Sequence, residues 1–151
     1  MQTQFGHWLL QEVIAENDHQ RLYRAQRERN HCLLRIQETR ADGTQLAERW
    51  QQLSRWLEAE PCSCVLRPRQ VTVQEPWLIL EYEDFAGVTL GQLLATHTLA
   101  LEEKLHLALQ LVQALADLHQ RHCVLLNLTP DTVLVAPGVP AIRFFDLALA
   151  Q

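Results

Sequence analysis

Short apolar runs separated by polar turns fill the first part of the chain. Runs of about four to eight apolar or alternating residues between turn signals are typical of β-strands. The polar turn Glu16–His19 joins two such runs and predicts a β-hairpin. Pro68, inside a later run, predicts a bend or an edge position. The strands predicted from this pattern are Trp8–Ile14, Leu22–Ala25, His31–Ile36, Leu66–Val73 and Trp77–Tyr82.

Helical spacing appears between these strands and again after them. Thr44 is predicted to cap a helix that begins at Gln45 and ends before Pro61. A loop at Phe85–Val88 precedes a second, short helix over Leu90–Leu94. The predicted apolar face of the first helix comprises Leu46, Trp50, Leu53, Trp56 and Leu57.

The longest helical pattern spans Leu101–His122. Two short strands, Val133–Val135 and Ile142–Phe145, follow it on either side of the turn signal Pro137-Gly138. The predicted order is three strands, a helix, two strands, two helices and a final hairpin. This order predicts an α+β fold whose second part is mainly helical.

Composition and charge narrow the class of protein. The chain has 151 residues, of which 48% are apolar and 21% are charged, as in a globular domain with one core. The formal net charge of −5 argues against a nucleic-acid or anionic-membrane surface. No apolar run reaches the roughly 18 residues of a membrane span, and the N-terminus lacks the basic region of a secretory signal. A cytoplasmic protein without a membrane span is therefore expected.

Two of the four cysteines, Cys62 and Cys64, are separated by a single residue. No second pair follows at the spacing of a zinc ribbon, so free thiols are expected. A metal site that combines these two thiols with a histidine is the alternative.

The segment from Ala114 to Ala150 carries the most specific motifs. In a protein kinase, a long helix is followed by HRDLxxxN, a strand, and a second strand that ends in DFG. Here Leu118-His119 stands at the helix end, Leu125–Asn127 at the HRD triplet, and Phe144–Ala148 at the strand with DFG. The chain therefore resembles a serine/threonine protein kinase fold in a degenerate form, a pseudokinase.

A second motif indicates which kinase-like proteins the chain resembles. Residues 81–94, EYEDFAGVTLGQLL, are similar to the hinge of the kinase-like domains that begin large bacterial signalling proteins, ahead of an ATPase and often a sensor histidine kinase. The resemblance implies a five-stranded antiparallel N-lobe with one helix over residues 1–82. Residues 83–151 would hold the hinge and a partial helical C-lobe, and the chain would stop shortly after its DFG-like segment.

Most of the positions that transfer phosphate in a kinase carry other residue types here. A kinase uses a lysine on the phosphates, a catalytic aspartate, and aspartate and asparagine ligands for magnesium. By the resemblance, Arg35 stands at the lysine and Asn127 at the catalytic aspartate. Asp146 is the retained metal ligand, and Thr132 stands at the other. Because an amide is not a carboxylate base and a neutral hydroxyl is a weak magnesium ligand, the metal site is expected to be vestigial.

The nucleotide pocket implied by the resemblance is altered too. The turn that should cradle the phosphates, Ile14–Gln20, has no glycine, and its Glu16 and Asp18 would repel a triphosphate. Leu33 replaces the small residue above the adenine ring and would fill part of the slot. The expected side chains of this vestigial pocket are Leu22, Leu33, Leu80, Glu81, Glu83 and Leu134.

The resemblance also implies contacts for the two longer helices. A kinase pairs its lysine with a glutamate of the N-lobe helix. Arg49 or Gln52 stands nearest that position, and Glu48 is the alternative in a shifted register. On the long helix, one stripe is expected to face the N-lobe and catalytic loop and the other the further helices of a C-lobe. These stripes are Leu105, Leu109, Val112 and Leu115, and Leu107, Leu111, Ala114 and Leu118, respectively.

These observations predict a catalytically silent regulatory or interaction domain of a bacterial signalling protein. An active ATP-dependent serine/threonine kinase with atypical catalytic residues is the first alternative. A plain protein-interaction module that uses the helix Leu101–His122 is the second. No cofactor is expected, with ATP and magnesium as the alternative. The expected partner is another protein or the remainder of a larger signalling polypeptide.

Overall fold

The computed structural model describes residues 3–39, 42–125, 127–136 and 141–147. Leu126, Ala148 and the turn Pro137-Gly138, on which expectations were placed above, lie outside these residues. The strands are β1 (Thr3–Phe5), β2 (Trp8–Glu16), β3 (Gln20–Arg27), β4 (Asn30–Glu38), β5 (Pro68–Gln74), β6 (Trp77–Glu83), β7 (Val88–Thr89), β8 (Val133–Val135) and β9 (Ile142–Phe144). The helices are α1 (Gly43–Ala59), α2 (Leu90–Thr96) and α3 (Leu101–Gln120).

The described residues fall into two compact units. The larger unit comprises Met1–Pro61 and Arg67–Phe85, and the smaller unit comprises Cys62–Leu66 and Ala86–Gln151. No helix in the described ranges is both long and apolar enough to cross a membrane.

The larger unit contains an antiparallel sheet with the strand order β1-β2-β3-β4-β6-β5. The expectation of five strands is wrong, because the described residues place six in this sheet. The additional strand is β1, which pairs with β2 through a tight turn at Gly6, whose φ of +56° favours glycine. Its residues Thr3 and Gln4 are polar and exposed, so no apolar alternation marks the strand in the sequence.

The two faces of this sheet carry different side chains, because successive residues of a strand point to opposite sides. On β4, Cys32, Leu34 and Ile36 lie on one face. They form an apolar cluster with Trp8, Leu10, Ala25 and Ile79. Leu33 and Arg35 lie on the opposite face of the same strand.

The helix α1 packs against β5 and β6. It begins one residue before the predicted cap: the carbonyl of Asp42 accepts the amide of Leu46 at 3.0 Å, and Thr44 lies inside the helix. The prediction that Thr44 caps the helix is therefore wrong. The side chains of Trp50, Leu53 and Leu57 are buried as expected, and those of Leu46 and Trp56 are half-buried.

The smaller unit contains the three-stranded sheet β7-β8-β9 and the helices α2 and α3. The expectation of a loop through Val88 is wrong, because Val88 pairs with Val135 and Thr89 with Leu134. Thr89 then caps α2: its hydroxyl accepts the amide of Gln92, whose side chain accepts the amide of Thr89 in return. The strand β7 is short because its second residue, Thr89, also caps the helix α2.

The long helix α3 buries the stripe that was expected to face the further helices of a C-lobe. Leu118 is fully buried and Leu107 is nearly so, whereas Leu105 is 62% exposed and Val112 is 63% exposed. The helix packs against β9. Both stripes are apolar at helical spacing, so periodicity marks each of them and packing alone selects the buried one.

Candidate functional site

The loop at the predicted catalytic position is stabilised from within by Thr132. Its hydroxyl oxygen lies 2.9 Å from the carbonyl oxygen of Asn127 and 3.0 Å from that of Thr129, and accepts the amide of Thr129 at 2.9 Å. The side chain is 7% exposed. A hydroxyl has one hydrogen and two lone pairs, so these three neighbours occupy most of its hydrogen-bonding capacity. Thr132 therefore serves mainly to stabilise the structure of this loop.

Asn127 and Asp146, two further predicted site residues of the smaller unit, are neighbours. The side-chain amide of Asn127 donates to a carboxylate oxygen of Asp146 at 3.4 Å. Asp146 follows β9, which pairs with β8 from Val133 onwards, so the pairing brings the loop and the DFG-like segment together. The predicted position of the catalytic base thus presents a donor to the predicted metal-binding carboxylate.

Leu134, the predicted pocket residue of the smaller unit, lies at the centre of β8. It pairs with Thr89 on one side and with Arg143 on the other, and it is fully buried. The strand therefore holds a core leucine three residues after Pro130-Asp131, at the end of the loop just described.

In the larger unit, Arg35 is buried on β4 with its charge directed at an aromatic ring. The guanidinium carbon lies 5.1 Å from the ring centroid of Trp50, and one terminal nitrogen donates to Gln37 at 3.3 Å. The residue is 4% exposed. A desolvated cation over an indole ring is a stabilising contact of about 2 kcal/mol. Glu48, Arg49 and Gln52, the predicted helix partners, are all exposed on α1, and a pairing of Arg35 with Glu48 stays a prediction.

Three of the predicted adenine-site residues share the sheet face of Arg35. Leu22 and Leu80 both lie opposite Arg35 in the strand register, and Leu33 precedes it by two residues. All three are almost completely buried. The fold of the larger unit therefore does bring Leu22, Leu33, Leu80 and Arg35 onto one face.

The two predicted acidic pocket residues point away from that face. Glu81 lies opposite Leu34, accepts the indole N–H of Trp8 at 2.6 Å and pairs with Arg27 at 3.3 Å. Glu83 pairs with Arg69. Their carboxylates thus belong to the face with the apolar cluster and to the edge of the sheet.

The glycine-free turn between β2 and β3 satisfies its own backbone amides. The side-chain oxygen of Asn17 accepts the amides of His19 and Gln20, each at 3.0 Å. The amide of Asn17 donates to the carbonyl of Gln20 at 3.0 Å. A phosphate-binding turn leaves its amides free for the ligand. In this turn, two amides, those of His19 and Gln20, are bonded to Asn17 instead.

A second cluster of reactive groups lies elsewhere in the smaller unit. The sulfur atoms of Cys62 and Cys64 are 2.9 Å apart, and the Cys62 thiol donates to Asp117 at 3.1 Å. Burial, followed by the hydrogen bond with Cys62, raises the pKa of the Cys64 thiol well above its usual value. The hydrogen bond from Cys62, then that from Arg121, lowers the pKa of Asp117. The group that lies beside the two thiols is thus Asp117, whereas the alternative considered from the sequence was a histidine.

A search of solved structures matches a kinase domain. The PknI kinase domain from Mycobacterium tuberculosis, solved in a mutant form, is similar with a TM-score of 0.68 and 16% sequence identity. The match covers 99% of this chain and 62% of that one, so this chain spans less than two thirds of it. No known protein family and no curated protein matches the sequence.

The chain has a protein kinase-like fold. In all, 1550 chains of solved structures match, so the likeness identifies a widespread fold and does not single out one protein. The resemblance read from the sequence is confirmed at that level.

Two residues that contact the candidate groups described above, Asn17 and Asp117, were not identified from the sequence. Asn17 had a local signal, because an asparagine two residues before a turn amide often accepts from it. Asp117 had none, because it lies 55 residues from Cys62 and only the packing of α3 brings them together.

Proposed function

We propose that this chain is a catalytically silent kinase-like domain that acts as a regulatory or interaction domain of a bacterial signalling protein. On this proposal, residues 1–82 correspond to the N-lobe and residues 83–151 to the hinge and a partial C-lobe. The observation that carries the proposal is the hydrogen bond from the amide of Asn127 to Asp146. A kinase places a carboxylate at the first of these positions to accept the proton of the acceptor hydroxyl. An amide donor has no basic lone pair for that task.

The loop also fits magnesium poorly. Kinases hold two magnesium ions with the DFG aspartate and the catalytic-loop asparagine. Thr132 stands at the second position, and its hydroxyl is engaged with the backbone of Asn127 and Thr129. Magnesium demands near-ideal octahedral oxygen ligands and loses its water reluctantly. A hydroxyl already bound within its own loop does not meet that demand.

In the part of the larger unit that the structure describes, the groups at the predicted phosphate-binding positions make other contacts. Asn17 occupies the amides of the turn between β2 and β3, and Glu16 and Asp18 add negative charge there. Arg35 directs its guanidinium at Trp50. Each of these groups serves the fold of the unit itself, which supports a domain kept for its shape.

A domain kept for shape acts through its surface. We therefore propose that its partner is another protein or the remainder of a larger cytoplasmic signalling polypeptide. Neither ATP nor magnesium is needed for such a role. The alternative of an active kinase with atypical residues predicts the opposite response to nucleotide.

A thermal melting titration with ATP and magnesium tests the proposal. We expect no change in melting temperature up to millimolar nucleotide, whereas a ligand at 100 times its Kd adds about 2.7 kcal/mol to stability. An upward shift that is lost in Asp146→Ala and kept in Asp131→Ala would contradict the proposal. Asp131 is a matched control because it is an exposed aspartate of the same unit, in the loop that precedes β8.

A further inference from the structure

Three potential metal ligands meet in the smaller unit, apart from the kinase-like catalytic positions. The ligand atoms of Cys62, Cys64 and Asp117 all lie within 4.8 Å of one another. Both cysteines are buried, and Asp117 is half-buried on α3. The three side chains come from two segments that are far apart in sequence, so their meeting is a product of the fold.

The backbone holds these segments in place. The amide of Phe144 donates to the carbonyl of Cys64 at 2.7 Å, and the amide of Leu66 donates to the carbonyl of Phe144 at 2.9 Å. These bonds fix the cysteine segment to β9. On the other side, α3 packs against β9 and carries Asp117. The strand β9 therefore holds both the cysteine segment and the helix that carries Asp117.

The Asp117 carboxylate is oriented by a hydrogen bond from a residue outside the group of three potential ligands. One oxygen of Asp117 accepts from the Cys62 thiol at 3.1 Å, and the other accepts from Arg121 at 3.2 Å. Carboxylates that bind a metal are usually held by such a second hydrogen bond, which fixes their orientation.

We propose that Cys62, Cys64 and Asp117 form a zinc-binding site. Thiolate sulfur and carboxylate oxygen are both common zinc ligands, and thiolate favours zinc over magnesium or calcium. Zinc takes the place of the protons that the two thiols and the carboxylate share, and those protons are released to the solvent. With Zn–S bonds of about 2.3 Å, two sulfurs in a tetrahedral site lie about 3.8 Å apart, so this pair opens by about 1 Å on binding.

Zinc content and cobalt absorption of the whole chain test this site. The protein is purified in a thiol reductant, loaded with zinc sulfate and separated from excess metal before its zinc is measured. We expect one zinc per chain, and cobalt in place of zinc should give thiolate-to-metal charge-transfer absorption. Cys62→Ser and Cys64→Ser should each lose the bound zinc. Asp117→Asn should weaken binding by about tenfold or more.

Cys32→Ser is the matched control, since Cys32 is a buried cysteine of the other unit. It should keep one zinc per chain. Should a serine variant fail to fold, protection of two thiols from alkylation by zinc in the unaltered chain decides the question. No zinc on the folded chain would overturn the proposal, as would zinc retained in both serine variants. A Cys62–Cys64 disulfide in the freshly reduced protein, seen as a mass lower by two hydrogens, would also overturn it. None of these outcomes depends on whether the domain transfers phosphate.

Discussion

The guanidinium of Arg35 lies over the indole ring of Trp50, with 5.1 Å between the guanidinium carbon and the ring centroid. This arginine stands at the position where the resemblance to kinases places a phosphate-binding lysine. A cation over the face of an indole ring is attracted to the ring, and a guanidinium makes this contact better than an ammonium group does. The contact joins β4 to α1, so the charge contributes to the stability of the larger unit.

Replacing this arginine by lysine tests that interpretation. We expect Arg35→Lys to lower the free energy of unfolding by about 1–2 kcal/mol, because the cation–π contact weakens inside a desolvated site. Urea denaturation measures the change. Arg49→Lys, at an exposed position of α1, should stay within about 0.5 kcal/mol. If the Arg35→Lys protein is as stable as the unaltered one and its melting temperature rises with ATP, the position is a nucleotide site after all.

The hydrogen bonds that Thr132 makes within its own loop lead to a second prediction. Thr132→Val keeps the shape of the side chain and removes its hydroxyl, which leaves the Thr129 amide without its acceptor. We expect a loss of about 1–3 kcal/mol in the free energy of unfolding. Thr132→Ser keeps the hydroxyl and removes one methyl group, so it should cost only about 1 kcal/mol. Equal stability of the valine variant and the unaltered protein would show that the hydroxyl has no structural role.

The buried stripe of α3 gives a third prediction. Leu118→Ala should cost about 2–5 kcal/mol, because it opens a cavity at a fully buried position. Leu105→Ala, on the exposed stripe of the same helix, should change stability by no more than about 0.5 kcal/mol. Chemical denaturation of the two variants compares them directly. The reverse order would mean that the stripe containing Leu105 is the one that packs.

Much of the fold was predictable because burial and periodicity agree. The strands β2, β4 and β6 each bury a continuous or alternating apolar run, so Trp8–Glu16 and Trp77–Glu83 match their predicted positions within a few residues. The strand β1 escaped prediction because only one of its three residues, Phe5, is partly buried, and pairing with β2 holds it in the sheet. The buried stripe of α3 escaped because both stripes are equally apolar in the sequence.

The proximity of three candidate site residues was predictable, but their contacts were not. A motif frame can place Asn127, Thr132 and Asp146 in one region, because loop and strand follow each other closely. It cannot show that the Thr132 hydroxyl turns inward or that Trp50 covers Arg35, since these depend on packing between segments. Asp117 belongs to the same class, because only the fold brings it to the two cysteines.

A phosphoryl-transfer assay tests the central claim most directly. The chain and its Asn127→Asp variant are incubated with γ-labelled ATP, magnesium or manganese, and a generic protein substrate, with Asp146→Ala as the control for a contaminating kinase. We expect no label above that control from either protein. The repair of one position leaves the phosphate-binding groups altered, and groups that act as a unit do not recover singly. Label transferred by the unaltered chain, or by Asn127→Asp, and abolished by Asp146→Ala would contradict the account and make the chain an active kinase.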